Sequence, residues 1–177
     1  MTDNLTNWIA TAGSFNAHIH CYVIPKFWDS WSKRWKKVFP FEGLPDIQDR
    51  PPYSPVHLSE GSSLGEGWLI AGGGGTPTTF KIIFDSQTPN RLYVRIKGSG
   101  STSNRQVEIS RNGYLGLYRG DAKVDLLKLE PLKWTPDTLR CRIRDHLGHT
   151  VKLVHSDQIY LNAQNGDDTT FLITRQQ

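Results

Sequence analysis

Two histidines separated by one residue, His18 and His20, are the first residues whose types and spacing could do chemistry. The alternating pattern around them predicts a β-strand, which places both imidazoles on one face, where they could supply two ligands to a metal ion. A zinc site needs a third or fourth ligand, and the sequence fixes no position for one. We therefore predict no metal site and no cofactor.

The carboxylates and hydroxyls of the chain do not form a recognisable catalytic set. Asp145 and His149 fall in one predicted turn and Asp167 in another, and carboxylates in turns usually make local hydrogen bonds. The sequence has no Gly-x-Ser-x-Gly motif. The run Gly72–Gly75 lacks the Gly-Lys-Ser/Thr that completes a phosphate-binding loop. We therefore expect a protein that is not an enzyme.

A segment rich in tryptophan and in basic residues is the main candidate for a binding surface. Apolar residues recur at helical spacing over 26–39, between Pro25 and Pro40, which predicts a basic amphipathic helix. The stretch 26–37 holds five basic residues and one acid, and the remaining chain holds 16 of each sign. Its aromatic face either packs on the protein as core or is presented to an anionic partner. The candidate residues are Trp28, Trp31, Trp35, Lys33, Arg34, Lys36 and Lys37.

A second basic pattern lies on one predicted strand. Alternation puts Arg140, Arg142 and Arg144 on the same face, where they could bind phosphate, sulphate or carboxylate groups. The alternative is that these arginines pair with acids such as Asp125 or Glu130 on a solvated wall.

The organisation of the chain follows from an internal repeat. An aromatic-leucine pair recurs at intervals of 46 residues, as Trp68-Leu69, Tyr114-Leu115 and Tyr160-Leu161. An alternating strand and a Val-x-aliphatic triplet precede each pair, and a short apolar strand follows it. Turn residues separate these segments. Each unit therefore contains four predicted strands.

Three four-stranded units of this length resemble the β-trefoil superfamily, over residues 17–175. The resemblance implies an all-β fold in which two strands of each unit close a barrel and two form a hairpin lid. No family's site residues carry over, because the Gln-x-Trp triplet of ricin-type lectins and the cysteine pairs of Kunitz-type inhibitors are absent. An immunoglobulin-like sandwich, the alternative, predicts no three-fold recurrence.

The resemblance implies one domain over residues 1–177, with repeats at 17–88, 89–135 and 136–177. It also makes Cys21, Val94 and Cys141 equivalent inward residues, so that both thiols stay reduced and inert. The first repeat carries an insertion at 25–55, because Cys21 and Val56 are 35 residues apart whereas Cys141 and Val151 are 10 apart. Long insertions in compact domains are often functional.

These features indicate a binding module, with carbohydrate recognition as the first hypothesis. Trefoils present up to three pockets between strands and lids, but the lid turns here differ in sequence, so we expect one or two pockets. Asp121, Asn165 and Asp167 are the candidate ligands in those turns. The alternatives are membrane or protein interaction through 26–39, and protease inhibition by an exposed loop. Partners are then a glycan or other anionic ligand, a membrane surface or a protein, with no specific nucleic-acid motif.

Composition limits the remaining classes. No apolar run approaches the roughly 18 residues of a membrane span. The first residues contain no basic start followed by an apolar stretch, so the expected location is cytoplasmic, or outside the cell by release without a classical signal peptide. Two cysteines are too few for a disulfide framework.

Overall fold

The structure is a computed structural model, and it describes residues 8–23, 53–59, 67–72, 77–119 and 125–177. The helix predicted over 26–39, with all of its candidate residues, and Asp121 lie outside the described residues. The described part of the chain is all-β, as predicted, with one short helix. Its elements are α1 (Trp8–Ala12), β1 (Ser14–Tyr22), β2 (Tyr53–Leu58), β3 (Leu69–Ala71), β4 (Thr79–Thr88), β5 (Arg91–Gly98), β6 (Arg105–Ile109), β7 (Leu115–Arg119), β8 (Leu127–Trp134), β9 (Thr138–Arg144), β10 (Lys152–His155), β11 (Ile159–Asn162), β12 (Asp167–Asp168) and β13 (Phe171–Arg175).

Six of the strands close a barrel. In order around the barrel they are β1, β13, β9, β8, β5 and β4, and β4 pairs with β1 again. Every pairing is antiparallel. Closure leaves no free edge in this sheet, and it sends alternate side chains into the barrel and out to its wall.

The interior combines small and large side chains at neighbouring positions. Phe171 of β13 stands opposite Cys21 of β1 on one side and Cys141 of β9 on the other. Ala17 stands opposite Phe80 in the same way. All five side chains are fully buried. The small residues leave room for the phenylalanine rings, so that together they fill the interior at the density of a protein core. Replacing Phe80 or Phe171 by alanine would therefore reduce the free energy of unfolding by about 3–5 kcal/mol.

Three hairpins cover one end of the barrel: β2–β3, β6–β7 and β10–β11. The three aromatic residues of the 46-residue interval meet between these hairpins. The ring centroids of Trp68 and Tyr114 are 4.8 Å apart, and Tyr160 lies 5.5 Å and 5.8 Å from them. The hairpins approach so closely that a Cβ at Gly116 would lie 2.5 Å from the carbonyl oxygen of Gly67.

The other end of the barrel is closed by α1, which the sequence analysis did not predict. Ile9 is fully buried, and the Trp8 ring packs on Phe15 at 5.0 Å and on Trp134 at 5.8 Å. A helix of five residues is too short to show a periodic apolar pattern, so only its burial reveals its role. In the described part of the chain, no helix has the length and apolar character needed to cross a membrane.

The described strands on either side of the insertion, β1 and β2, pair with each other. Tyr22 and Tyr53 are register partners, with ring centroids 6.0 Å apart. Tyr22 is also fixed from the opposite side, because its N–H donates to the carbonyl oxygen of Thr170 and its own carbonyl accepts the hydroxyl of Thr169. These contacts among described residues hold Tyr22 next to Tyr53.

The burial of both cysteines gives a direct test of the barrel interior. Burial raises the pKa of Cys21 to about 12 and also raises the pKa of Cys141. The strand β13 lies between their strands, so their α-carbons are separated by about 10 Å, beyond the roughly 7 Å limit of a disulfide. We expect thiol titration to find two free groups after unfolding and slow labelling of both in the native protein. The variants Cys21→Ala and Cys141→Ala assign the rates, and fast native labelling of either thiol would contradict its burial.

Candidate functional site

A groove of about 370 Å³ opens on the third repeat, between the turn that joins β9 to β10 and the turn that joins β11 to β12. Its volume falls at the lower end of the range of small-ligand sites. Two separate stretches of chain, 144–152 and 163–164, form it, and most of its side chains are polar or basic. The lining residues are Arg144, Gly148, His149, Thr150, Lys152, Ala163 and Gln164.

The first wall of the groove is a turn held by a buried carboxylate. Asp145 is only 5% exposed, and its Oδ1 accepts the backbone N–H of His149 at 2.7 Å. Two backbone hydrogen bonds, from Asp145 N to His149 O and from Gly148 N to Asp145 O, close the same turn. Gly148 has a φ of 94°, a conformation that residues with a Cβ rarely adopt. The sequence Asp-x-x-Gly-His therefore specifies this turn locally.

The same carboxylate orients the imidazole of His149. Asp145 Oδ2 lies 2.9 Å from His149 Nδ1, and the histidine side chain is 60% exposed. This contact favours the proton on Nδ1 and leaves Nε2 as the acceptor of the neutral ring. His149 therefore presents a fixed hydrogen-bonding edge at the groove.

Arg144 is fixed at the rim of the groove by two contacts. Its Nε donates to Glu130 Oε2 at 2.6 Å, and its Nη1 donates to the carbonyl oxygen of Gly148 at 2.9 Å. Arg142 also approaches Glu130, at 3.5 Å. The pKa of Glu130 is lowered, first by the hydrogen bond from Arg144 and then by the neighbouring positive charges. The alternative stated for the arginine stripe, pairing with Glu130, therefore holds for Arg142 and Arg144.

The second wall is built by Asn162, which is 1% exposed. Its Oδ1 accepts the backbone N–H groups of Gln164 at 2.7 Å and of Asn165 at 2.9 Å, and its Nδ2 donates to the carbonyl oxygen of Asn112. This side chain fixes the turn that carries Gln164 into the groove. Lys152 comes from β10, where the exposed Asp168 of β12 is its register partner. Its ammonium group makes no ion pair among the described residues.

Two of the lid-turn residues predicted from sequence, Asn165 and Asp167, are described, and they lie beside this groove. Asn165 is exposed in the same turn as Gln164, and the side chain of Asp167 is 79% exposed, 3.8 Å from His155 Nε2. Neither lines the groove. Lys152 and Gln164 were missed because each looks like an ordinary polar residue of a strand or turn. Binding residues are often found in loops and turns, and this led the sequence analysis to the turns without identifying these two residues.

The histidine pair of β1 lies on the barrel wall. His18 Nε2 is 3.2 Å from Thr79 Oγ1, so a neighbouring strand already occupies that nitrogen. Burial lowers the pKa of His20, and the nearby His18 lowers it further. Over the ranges that the structure describes, no three His, Cys, Asp or Glu side chains lie close enough together to hold a metal ion.

No family model, no curated protein and no solved structure matches this chain. The groove is therefore interpreted from its own geometry and charge.

The ion pair between Glu130 and Arg144 predicts that the free energy of unfolding depends on pH. A carboxylate with a lowered folded-state pKa stabilises the protein above its ordinary pKa of 4.5, and this contribution is lost as the pH falls through the folded value. We expect Glu130→Gln to reduce the free energy of unfolding at pH 7 by about 1 kcal/mol or less, as for a partly exposed pair, and to have no effect near pH 2.

Urea unfolding at the two pH values measures this difference. Asp168→Asn is the matched control, because Asp168 is exposed and makes no described ion pair. A destabilisation by Glu130→Gln that is equal at both pH values would contradict the role assigned to the carboxylate charge.

Proposed function

We propose that this chain is a non-enzymatic binding module whose groove on the third repeat recognises an acidic sugar residue. The observation that carries the proposal is the convergence of cationic and hydrogen-bonding groups from two stretches of chain, 144–152 and 163–164, at one groove. Two buried side chains hold its walls. Asp145 fixes one wall and Asn162 the other. Such prior ordering lowers the entropy cost of binding.

The chemistry of the groove favours a ligand with a carboxylate or sulphate group. Lys152 supplies the main positive charge, to which Arg144 adds although Glu130 partly neutralises it. Charge-assisted hydrogen bonds to oxyanions are stronger than neutral ones. Gln164, Thr150 and the ring of His149 offer donors and acceptors to hydroxyl groups. No aromatic side chain lines the groove, so stacking on a sugar face does not contribute. At about −0.3 kcal/mol per non-hydrogen atom, a single sugar acid would bind with a Kd on the order of 1 mM.

The corresponding connection of the second repeat, between β5 and β6, is tightly packed where it can be compared with the groove, which supports a small number of pockets. Between β5 and β6 the chain folds back on itself, so that a Cβ at Gly98 would lie 2.3 Å from Thr102 Oγ1. The hydroxyls of Ser99 and Thr102 bond to nearby backbone oxygens. In the first repeat, the corresponding connection is the insertion.

We also propose that the fold is a β-trefoil. A closed six-stranded barrel, three covering hairpins and three aromatic rings spaced 46 residues apart support this assignment. An experimentally determined structure is expected to superimpose the units 17–88, 89–135 and 136–177, without the insertion, about one pseudo-three-fold axis. Two stacked sheets without that axis would overturn the assignment.

The proposed function is tested by titrating the protein with glucuronate, a sulphated monosaccharide and a neutral monosaccharide. Backbone amide NMR shifts are expected to change at Lys152, His149 and Gln164 with the two acidic sugars only. Lys152→Gln removes one charge-assisted hydrogen bond, worth about 1.5–3 kcal/mol, so the affinity should fall roughly tenfold to a hundredfold. Lys133→Gln is the matched control, since Lys133 is exposed on β8, away from the groove.

A further variant separates the groove from the Trp-rich segment. Replacing residues 24–52 by a short glycine-serine linker is compatible with the paired positions of Tyr22 and Tyr53. Binding of acidic sugars that persists in this variant and is lost in Lys152→Gln supports the proposal. Binding that is lost without 24–52 and unchanged in Lys152→Gln would overturn it in favour of the segment 26–39.

A further inference from the structure

A path of cations crosses the outer wall of the barrel and ends at the groove. Arg144 on β9 is the register partner of Lys128 on β8, and Lys97 on β5 is the partner of Lys81 on β4. Arg95 stands two residues from Lys97 on the same face of β5. All five side chains occupy outward positions, which alternate with buried residues on their strands.

The spacing of these cations makes the path continuous. Lys128 is the register partner of Tyr93, so it lies diagonally across from Arg95. Directly opposite residues on antiparallel strands have their Cβ atoms about 5 Å apart, and diagonal or alternate neighbours are about 7 Å apart. The five positions therefore extend over roughly 20–25 Å, from β4 across β5 and β8 to the groove.

Few carboxylates balance this path. In the described part of the chain, Lys81, Arg95, Lys97 and Lys128 make no ion pair, and Arg144 shares Glu130 with Arg142. Asp125 lies 3.6 Å from His146 Nδ1 and Glu108 accepts from Gln106 at 2.6 Å, and neither makes a described ion pair with a cation of the path. Lys128 donates to the carbonyl oxygen of His146 and lies over the Tyr93 ring at 5.9 Å.

Like charges placed directly opposite each other destabilise a sheet. Two such pairs, Lys81 with Lys97 and Lys128 with Arg144, stand on neighbouring parts of this wall. A bound chain of negative charges would remove this repulsion and release its counterions.

We infer that the ligand is a linear sulphated polysaccharide, of which one acidic residue occupies the groove while the chain continues over Arg144, Lys128, Arg95, Lys97 and Lys81. The inference rests on the proposed function of the groove and adds the class of polymer and its direction across the barrel. A polysaccharide fits better than a nucleic acid, because the path offers a single aromatic ring, Tyr93, whereas bases need successive rings to stack upon.

The test is a length series of heparin-derived fragments, from disaccharide to dodecasaccharide, titrated by calorimetry at two salt concentrations. Affinity is expected to rise with length until the path is covered and then to level off. The double variant K81Q/K97Q should bind the disaccharide as the wild type does and should lose roughly tenfold to a hundredfold in affinity for the dodecasaccharide. The slope of log affinity against log salt should fall by about 1–2 for the long fragment, as two ionic contacts are lost.

The matched control is K133Q/R140Q, which removes a third directly opposite pair of cations, both exposed and outside the five positions of the path. It changes the net charge equally and should leave the length dependence intact. Thermal unfolding of each variant confirms that it is folded before the titration. Equal losses in the two double variants would overturn the path, because only net charge would then matter.

The remaining outcomes separate this inference from the proposed function. A disaccharide affinity that depends on Lys152, with no gain for longer fragments, overturns the inference and leaves the groove function standing. Two other ligands test the choice of polymer: a single-stranded RNA of matched charge and vesicles rich in phosphatidylserine. The choice would be overturned if either bound more tightly than the dodecasaccharide and showed the same sensitivity to K81Q/K97Q.

Discussion

The pairing of β1 with β13 on one side and with β4 on the other is the constraint on which the rest of the structure depends. It joins the last barrel strand to the first and so closes the sheet. Once the sheet is closed, period-2 alternation divides every barrel strand into an interior and an exterior set. This alternation places Cys21 and Phe171 in the core, and it places Lys81 and Arg144 on the outer wall of the barrel. A register slip of one residue would exchange the two sets.

Closure also determines where a site can form. The barrel strands pack their inward side chains fully, so an opening must come from the connections between strands. Three connections lead from the barrel into the hairpins, and they differ. The first carries the insertion, the second folds onto Gly98, and the third is held open by Asp145 and Asn162. The groove on 144–164 therefore follows from the local chemistry of the turns that flank it.

The distribution of charge changes when the chain folds. By sequence, the residues outside 26–37 contain equal numbers of acids and bases. In the structure, several acids lie in turns, where Asp145 is buried beneath His149 and Asp157 bonds to Tyr160. Bases on β4, β5, β8 and β9 point outward together, with Glu130 as their described ionic partner. The part of the chain outside 26–37 has no net charge by sequence, yet one wall of the folded barrel is basic. The reason is that alternation places these strand bases on one face, while the acids in turns lie outside that face.

The sequence alone determined the all-β class, the alternating strands, the burial of both cysteines and the aromatic triplet at 46-residue intervals, because these depend on short periods that each strand expresses locally. Tertiary structure decided the rest. The groove joins Arg144 at the end of β9 and Lys152 at the start of β10 to Gln164 in the turn after β11, and the cation path depends on the register between β4, β5, β8 and β9. Register between strands and the approach of distant turns are set by packing and closure of the whole barrel, which no local pattern encodes.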